Sequence, residues 1–283
     1  MFRRTLLFTL CLVLPSLSWA GGSKPTPIEL VIVYPGGPDT GAEGKKLAEQ
    51  LVQHLAGATA LDPSRFAGAY FNDNLAAAAY LKTHRDAFIL SGLGFYLSQR
   101  KALNLAPLAR LRGEGGSDER FTVVVKKGRF KSVDDLRGKS LWGSVLFEDS
   151  RYVDRFAFSG KVRAAQWFEV HPTPRPLSAV RKLESDAADA VLLNQAQLDA
   201  LKRLPLFEKL QIIHTSEPVP TLGLMVVPTP RTKAVQDKIV KSVLELCATA
   251  KGKSICQGVG IVGFDPVTPG TLDAAIKKYD DTR

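Results

Sequence analysis

The sequence predicts an α/β protein whose sheets are mostly parallel and flanked by helices. Three observations carry this expectation. Short β-branched runs alternate with amphipathic helical stretches along most of the chain, as βαβ units require. The first such run, residues 27–34 (PIELVIVY), is almost continuously apolar, the pattern of a strand buried on both faces. The chain has 283 residues, 45% hydrophobic and 23% charged, which is enough for two α/β lobes or one large domain and is unlike a disordered or fibrous composition.

In order, the first strand is followed by a loop, Pro35-Gly36-Gly37-Pro38-Asp39-Thr40, and a helix over 41–56 with Leu47, Leu51 and Leu55 on one stripe. A strand at 66–71, an Ala-rich helix at 72–84 and a strand at 86–91 come next. A helix over 92–103 turns Leu93, Tyr96 and Leu97 inward, and 104–112 reaches a further strand. A Gly- and charge-rich loop, RGEGGSDER, spans 112–120. Residues 121–127 form a β-branched strand ended by Gly128. Ser132 opens a short helix, its hydroxyl placed to cap the N–H near Asp135; Gly138 ends it, and 139–144 is a strand. Helices at 150–158, 177–185 and 195–204 then alternate with strands at 164–170, 187–193 and 210–214. A strand at 221–227, closed by Pro228 and Pro230, a helix over 232–247 and a short helix at 271–279 complete the chain.

Residues 1–20 read as a signal peptide. Arg3 and Arg4 form the basic segment, 6–14 an apolar core too short to span a bilayer, and Ser18-Trp19-Ala20 a cleavage site, with cleavage expected after Ala20 by the general export route. Cys11 lies in that core without the small residue before it that a lipoprotein signal needs. No other apolar run is long enough for a span, so a soluble periplasmic protein is expected. Cleavage removes two arginines and takes the formal charge from +10 to +8. The basic surface either attracts anionic partners or is simply solvated. Lys and Arg are spread along the chain with no basic helix interleaved with aromatics, which excludes nucleic acid. Cys247 and Cys256 remain after export; an oxidising compartment implies a disulfide closing a short loop, or else two unpaired thiols.

Three segments carry a family resemblance. Phe121-Thr122-Val123-Val124-Val125 followed by Ser132-Val133-Asp134-Asp135-Leu136-Arg137-Gly138-Lys139 resembles the crossing segment of type II periplasmic binding proteins, most of all the phosphate/phosphonate-type solute-binding proteins of ABC transporters. Ala179-Val180-Arg181-Lys182-Leu183 with Ala188-Asp189-Ala190-Val191, and the returning strand Leu222-Gly223-Leu224-Met225-Val226-Val227, resemble further parts of that family in order and spacing. The resemblance covers roughly 27–228. It implies a two-lobed type II fold, each lobe a mostly parallel sheet flanked by helices, with two crossing strands as hinge. Lobe one would take 21–122 and 228–283, lobe two 123–227. It also implies capture of a small anionic or zwitterionic solute by hinge closure and delivery to an ABC permease, by a monomer. A ligand-sensing protein docked to a sensor kinase or other envelope protein, and an enzyme on the same scaffold, are the competing readings. Where relatives carry a Ser/Thr-rich run at the first helix of lobe two, this chain reads Gly143-Ser144-Val145-Leu146-Phe147-Glu148-Asp149-Ser150. Two carboxylates there repel a phosphate.

Ligands of open α/β sheets bind beyond the carboxyl ends of the strands. That rule selects Tyr34, Gly36, Gly37, Asp39 and Thr40 after the first strand, and Ser91, Gly92 and Tyr96 after the third. In the second half it selects Ser144, Ser150, Arg151, Tyr152, Arg175 and Asn194. Tyr34 and Tyr96 either sandwich a ligand or pack as core aromatics. Gly36-Gly37 either offers backbone N–H groups to an anion or makes a plain turn. Arg175 either pairs with an anion in two-pronged fashion or is solvated, and Asn194 either sets ligand choice or caps the following helix. Residues 37–46 (GPDTGAEGKK) fail the phosphate-loop spacing, with Lys46 where Ser or Thr is needed. The four histidines, His54, His84, His171 and His214, are scattered without metal spacing, and no nucleophile elbow is present. No cofactor, metal or catalytic residue is expected; only His171 lies near the expected cleft.

Overall fold

The computed structural model describes residues 26–37, 42–258 and 260–281. The expected signal peptide, Asp39 and Thr40 lie outside the described residues. Thirteen strands are present among them: β1 Ile28–Val33, β2 Phe66–Phe71, β3 Ala87–Leu90, β4 Ala106–Arg112, β5 Asp118–Glu119, β6 Thr122–Lys126, β7 Ser140–Gly143, β8 Glu169–Pro172, β9 Ala190–Leu193, β10 Leu210–Thr215, β11 Val219–Pro220, β12 Leu224–Val226 and β13 Gly263–Pro266.

Two sheets form from them. The first has the order β13-β4-β12-β3-β1-β2, and the second β10-β6-β9-β7-β8. In the first, β1 runs parallel to both β2 and β3, which explains its apolar run: Ile28, Leu30, Val31 and Val33 are all buried between layers. In the second, β7 is parallel to β8 and β9, while β6 is antiparallel to both β9 and β10. Helices cover the sheets. Ala42–Thr59 buries Leu51 and Leu55 against the first, and Pro176–Glu184 buries Ala179, Val180 and Leu183 against the second. The fold is a two-lobed α/β architecture, as the sequence predicts.

The chain crosses between the sheets twice, and the crossings are bonded to each other. Strands β5 and β11 form a two-stranded antiparallel ribbon with Val219 opposite Glu119 and Pro220 opposite Asp118. Ser216 N–H donates to the Phe121 carbonyl at 2.8 Å, and Phe121 N–H donates to Ser216 Oγ at 2.9 Å. The crossing therefore lies just before β6 and just before β12. Leu224–Val226, expected in the second lobe, is hydrogen-bonded between β3 and β4 in the first sheet. Sequence order could not show this, because the strand pairs with partners more than a hundred residues earlier.

The C-terminal helix, Asp273–Asp280, ties the assembly from behind. Its Tyr279 hydroxyl donates to Asp149 Oδ1 in the second lobe at 2.8 Å, its Asp280 pairs with Arg100 of the first at 2.5 Å, and its Lys278 pairs with Glu217 beside the ribbon at 2.8 Å.

Three local expectations are corrected. Ser132 is not the cap: the Asp135 carboxylate accepts from the Lys131 and Ser132 N–H groups, at 2.8 and 3.1 Å, and the helix is a single 3-10 turn, Asp134–Leu136. Residues 164–170 are not one strand: Ala164–Trp167 is a helical turn, and the strand is β8. The helix expected over 232–247 is broken into Pro230–Lys233, Gln236–Leu244 and the turn Leu246–Ala248; a further helix, Ala250–Gly258, follows in a segment read as loop. Cys247 and Cys256 are joined by a disulfide, with Cα atoms 5.7 Å apart.

Candidate ligand cleft

The carboxyl ends of four strands converge on one space between the lobes. Tyr34 follows β1, Ser91 follows β3, Ser144 follows β7 and Asn194 follows β9, and all four line a cavity of about 280 Å³. Leu246, Ile255 and Ile261 close it on the first lobe. A second hollow of about 510 Å³ shares Gly92, Glu119 and Asn194 with it and continues past the ribbon toward Arg203. The lobes touch across this cleft. A Cβ on Gly36, whose φ is +66°, would lie 2.2 Å from the Phe147 ring. Asn74 Nδ2 donates to Glu148 Oε2 at 3.4 Å, and Arg203 pairs with Glu114 at 3.2 Å.

Two of the three helix starts beside the cleft are capped by a side-chain oxygen of the protein itself, and a carboxylate lies near the third. Asn194 accepts from Gln197 N–H at 3.0 Å, and Gln197 Oε1 accepts from Asn194 N–H in return, a capping box. The Gln197 side chain also donates to Ser144 Oγ at 2.8 Å. Asp149 caps the helix beginning at Ser150, accepting from Tyr152 N–H at 3.2 Å. The Leu93–Leu103 helix begins after Gly92, which has no side-chain cap, and the Glu148 carboxylate reaches it from the opposite lobe. A Cβ on Gly94 would lie 2.5 Å from Glu148 Oε2, and one on Gly92 3.7 Å from Oε1. At position 94 only glycine leaves room for that carboxylate, whereas the approach at 92 is an ordinary contact.

Glu119 and Glu148 both face the cavity and have no ion-pair partner among the described residues. Burial pushes both carboxyls up to about 7; the charge of Glu148 adds to the rise at Glu119, while the Asn74 hydrogen bond opposes it at Glu148. Burial first, and then these two carboxylates, hold the Tyr152 hydroxyl protonated well above the usual phenol range. Gly94→Ala is expected to expel the Glu148 carboxylate into water. Its titration, followed by carbon NMR of the carboxyl, should then fall from about 7 toward the ordinary 4.5.

The remaining sequence-selected residues fall elsewhere. Gly36 forms the mouth contact with Phe147, and Gly37 packs against Tyr34 and Tyr70. Tyr96 is 5% exposed and packs in the core. Ser150 is the exposed first residue of its helix, and Arg151 lies over the Tyr279 ring at 5.6 Å. Arg175 is exposed after β8, the outermost strand of its sheet, and so stands away from the cleft. His171, also on β8, stacks on Trp142 at 4.5 Å. Glu119 and Gln197 line the cavity without having been selected. Glu119 sits in a two-residue strand that shows no periodicity, whereas Gln197, three residues after Asn194, completes a capping box that sequence spacing signals. No group of three or more metal-ligating side chains occurs among the described residues, and no described helix is long and apolar enough to cross a membrane.

Comparison with known proteins places this geometry. A family profile described as "ABC transporter, phosphonate, periplasmic substrate-binding protein" matches residues 41–272. Among solved structures, a Xanthomonas citri protein bound to chloride is 17% identical with a TM-score of 0.67, covering 89% of this chain and 98% of its own. The binding-protein component of a Pseudomonas aeruginosa ABC phosphonate transporter is 11% identical with a TM-score of 0.65, covering 89% and 85%. A Prochlorococcus marinus PhnD1 complexed with methylphosphonate is 13% identical with a TM-score of 0.64, covering 89% and 97%. Comparison with curated proteins gives no match. At these identities the structures share the fold, while the profile spans most of the sequence. The chain belongs to the family of periplasmic substrate-binding proteins of phosphonate ABC transporters.

Proposed function

We propose that this chain captures a small solute in the cleft between its lobes, closing about the β5–β11 ribbon, and hands it unchanged to the membrane permease of an ABC transporter. It acts as an exported monomer once the leader is removed after Ala20. The observation that carries the reading is the single cavity lined jointly by residues after β1 and β3 of one sheet and β7 and β9 of the other. A molecule touching both lobes favours the closed arrangement by its differential affinity for that state. The contacts of Phe147 with Gly36, and of Glu148 with Asn74, are the kind that form only when the lobes meet.

Small-angle scattering tests this directly. Protein isolated from the periplasm should release a small molecule on unfolding. Returning that molecule to the emptied protein should reduce the radius of gyration. A molecule that binds with no change in radius contradicts hinge closure, and a protein that carries and binds nothing contradicts capture.

A further inference from the structure

We propose that the group recognised in this cleft is a small organic cation, an ammonium or guanidinium held between Glu119 and Glu148, rather than a phosphonate or other anion. The inference rests on the capture reading above and adds the charge of the solute. It comes from three observations, each separate from family membership.

The first is charge. Formal charge over the whole chain is +10, yet the cavity contains no Lys, Arg or His among its lining residues. Its ionisable acids are Glu119 and Glu148, and the adjoining hollow adds Glu114, Asp118 and Asp199 against one arginine, Arg203. Those additional acids are already paired. Glu114 binds Arg203, Asp118 binds Arg110 and Asp199 binds Lys202. Glu119 and Glu148 are the two without a cation. An anionic solute would enter a space with no counter-charge and two carboxylates. A cationic one would supply the partner that both lack.

The second is the state of the backbone donors. Phosphonates and phosphates are commonly held by free N–H groups at helix starts. Here Asn194 and Asp149 cap two of those starts, and Glu148 lies against the third at Gly92 and Gly94. At the first two the place of an anion's oxygen is taken by the protein's own; at the third, which has no side-chain cap, the nearby Glu148 carboxylate repels an anion.

The third is an unmet polar group. Ser91 is 7% exposed, lines the cavity, and its Oγ has no hydrogen-bond partner. A buried hydroxyl without a partner is costly. Being both donor and acceptor, it marks a polar contact for the solute rather than its charge, and its lone pairs are open to an N–H of a solute seated between the two glutamates. Tyr34 and Tyr152 are in the same lining, and aromatic rings attract cations. The lining thus offers acceptors and aromatic residues, and Glu119 and Glu148, coming from the ribbon and from the second lobe, let one cation bridge the halves.

The test compares two small probes, putrescine as the cation and methylphosphonate as the anion, by calorimetry and thermal melting at pH 8. Putrescine should bind and raise the melting temperature, and methylphosphonate should do neither. E119Q and E148Q should each weaken putrescine binding roughly 10- to 100-fold, the range expected for losing one charge-assisted hydrogen bond. Ser91→Ala should weaken it less. Each variant's own melting curve and circular dichroism show that it is folded. The proposal is overturned if methylphosphonate binds and putrescine does not, or if putrescine binds the wild type and both glutamine variants equally. If neither probe binds, the molecule released from periplasmic protein decides. A released anion overturns the cation assignment while leaving capture intact, a released cation upholds both, and an empty protein overturns capture itself.

Discussion

The double substitution E119Q/E148Q is expected to make the empty protein more stable at pH 8, by on the order of 2–4 kcal/mol, while leaving its stability near pH 4.5 almost unchanged. The sign follows from proton binding. Both carboxyls titrate near 7 in the folded chain, chiefly because burial disfavours the charged form, against 4.5 in the unfolded chain. Between these values the folded state keeps protons that the unfolded state has released. Wild-type stability therefore falls as pH rises from about 4.5 to about 7, and stays lower above that window. Glutamine cannot ionise, so the variant does not lose this stability, and its amide can still bond Asn74. Urea unfolding at several pH values checks the result. A variant less stable than wild type at pH 8 contradicts the account of these side chains as desolvated acids. The same pair is proposed to receive the solute, so a stabilised empty protein that no longer binds a cation would mark a site held under strain for function.

Replacing Cys247 and Cys256 together by alanine is expected to lower the melting temperature by roughly 5–10 °C. The bridge closes a loop with a sequence separation of 9. The loop-entropy model gives roughly 2–3 kcal/mol for a loop of this size, and each kcal/mol shifts the midpoint of a chain this long by about 2–4 °C. The effect should reach the cleft as well. The disulfide anchors the Ala250–Gly258 helix, whose Ile255 forms part of the cavity wall along with Leu246 beside Cys247. Scanning calorimetry of wild type with a reductant should reproduce the variant's melting. A variant that melts with the wild type, or a wild type insensitive to reductant, contradicts a stabilising role for the bridge.

What the sequence revealed and what it withheld have physical causes. The strand at 27–34 was legible because burial on both faces demands an unbroken apolar run, and its partners in the sheet satisfy that demand. Tyr34, Ser91, Ser144 and Asn194 were legible as cleft positions because each follows a parallel strand, and parallel strands point their carboxyl ends the same way. Arg175 follows such a strand too. Its displacement from the cleft depends on β8 being outermost, and strand order is a long-range property that residue patterns do not encode. Glu119 was illegible for a related reason. Its strand is two residues long and exists only because Val219 and Pro220 pair with it from the returning crossing. The acids at 148 and 149 were visible as a departure from the family's run. Their separate roles, one capping its own helix and one reaching the opposite lobe, became clear only with Gly94 and Tyr152 in place.

The central claim, that one solute is gripped by both lobes at this cleft, is tested most directly by a crystal structure of protein taken from its native periplasm with whatever it carries. The account predicts electron density for one small cation bounded by Ser91, Glu119, Glu148 and Tyr152, with both lobes in contact with it. Density for an anion in that place, or a solute resting on one lobe alone, would contradict it.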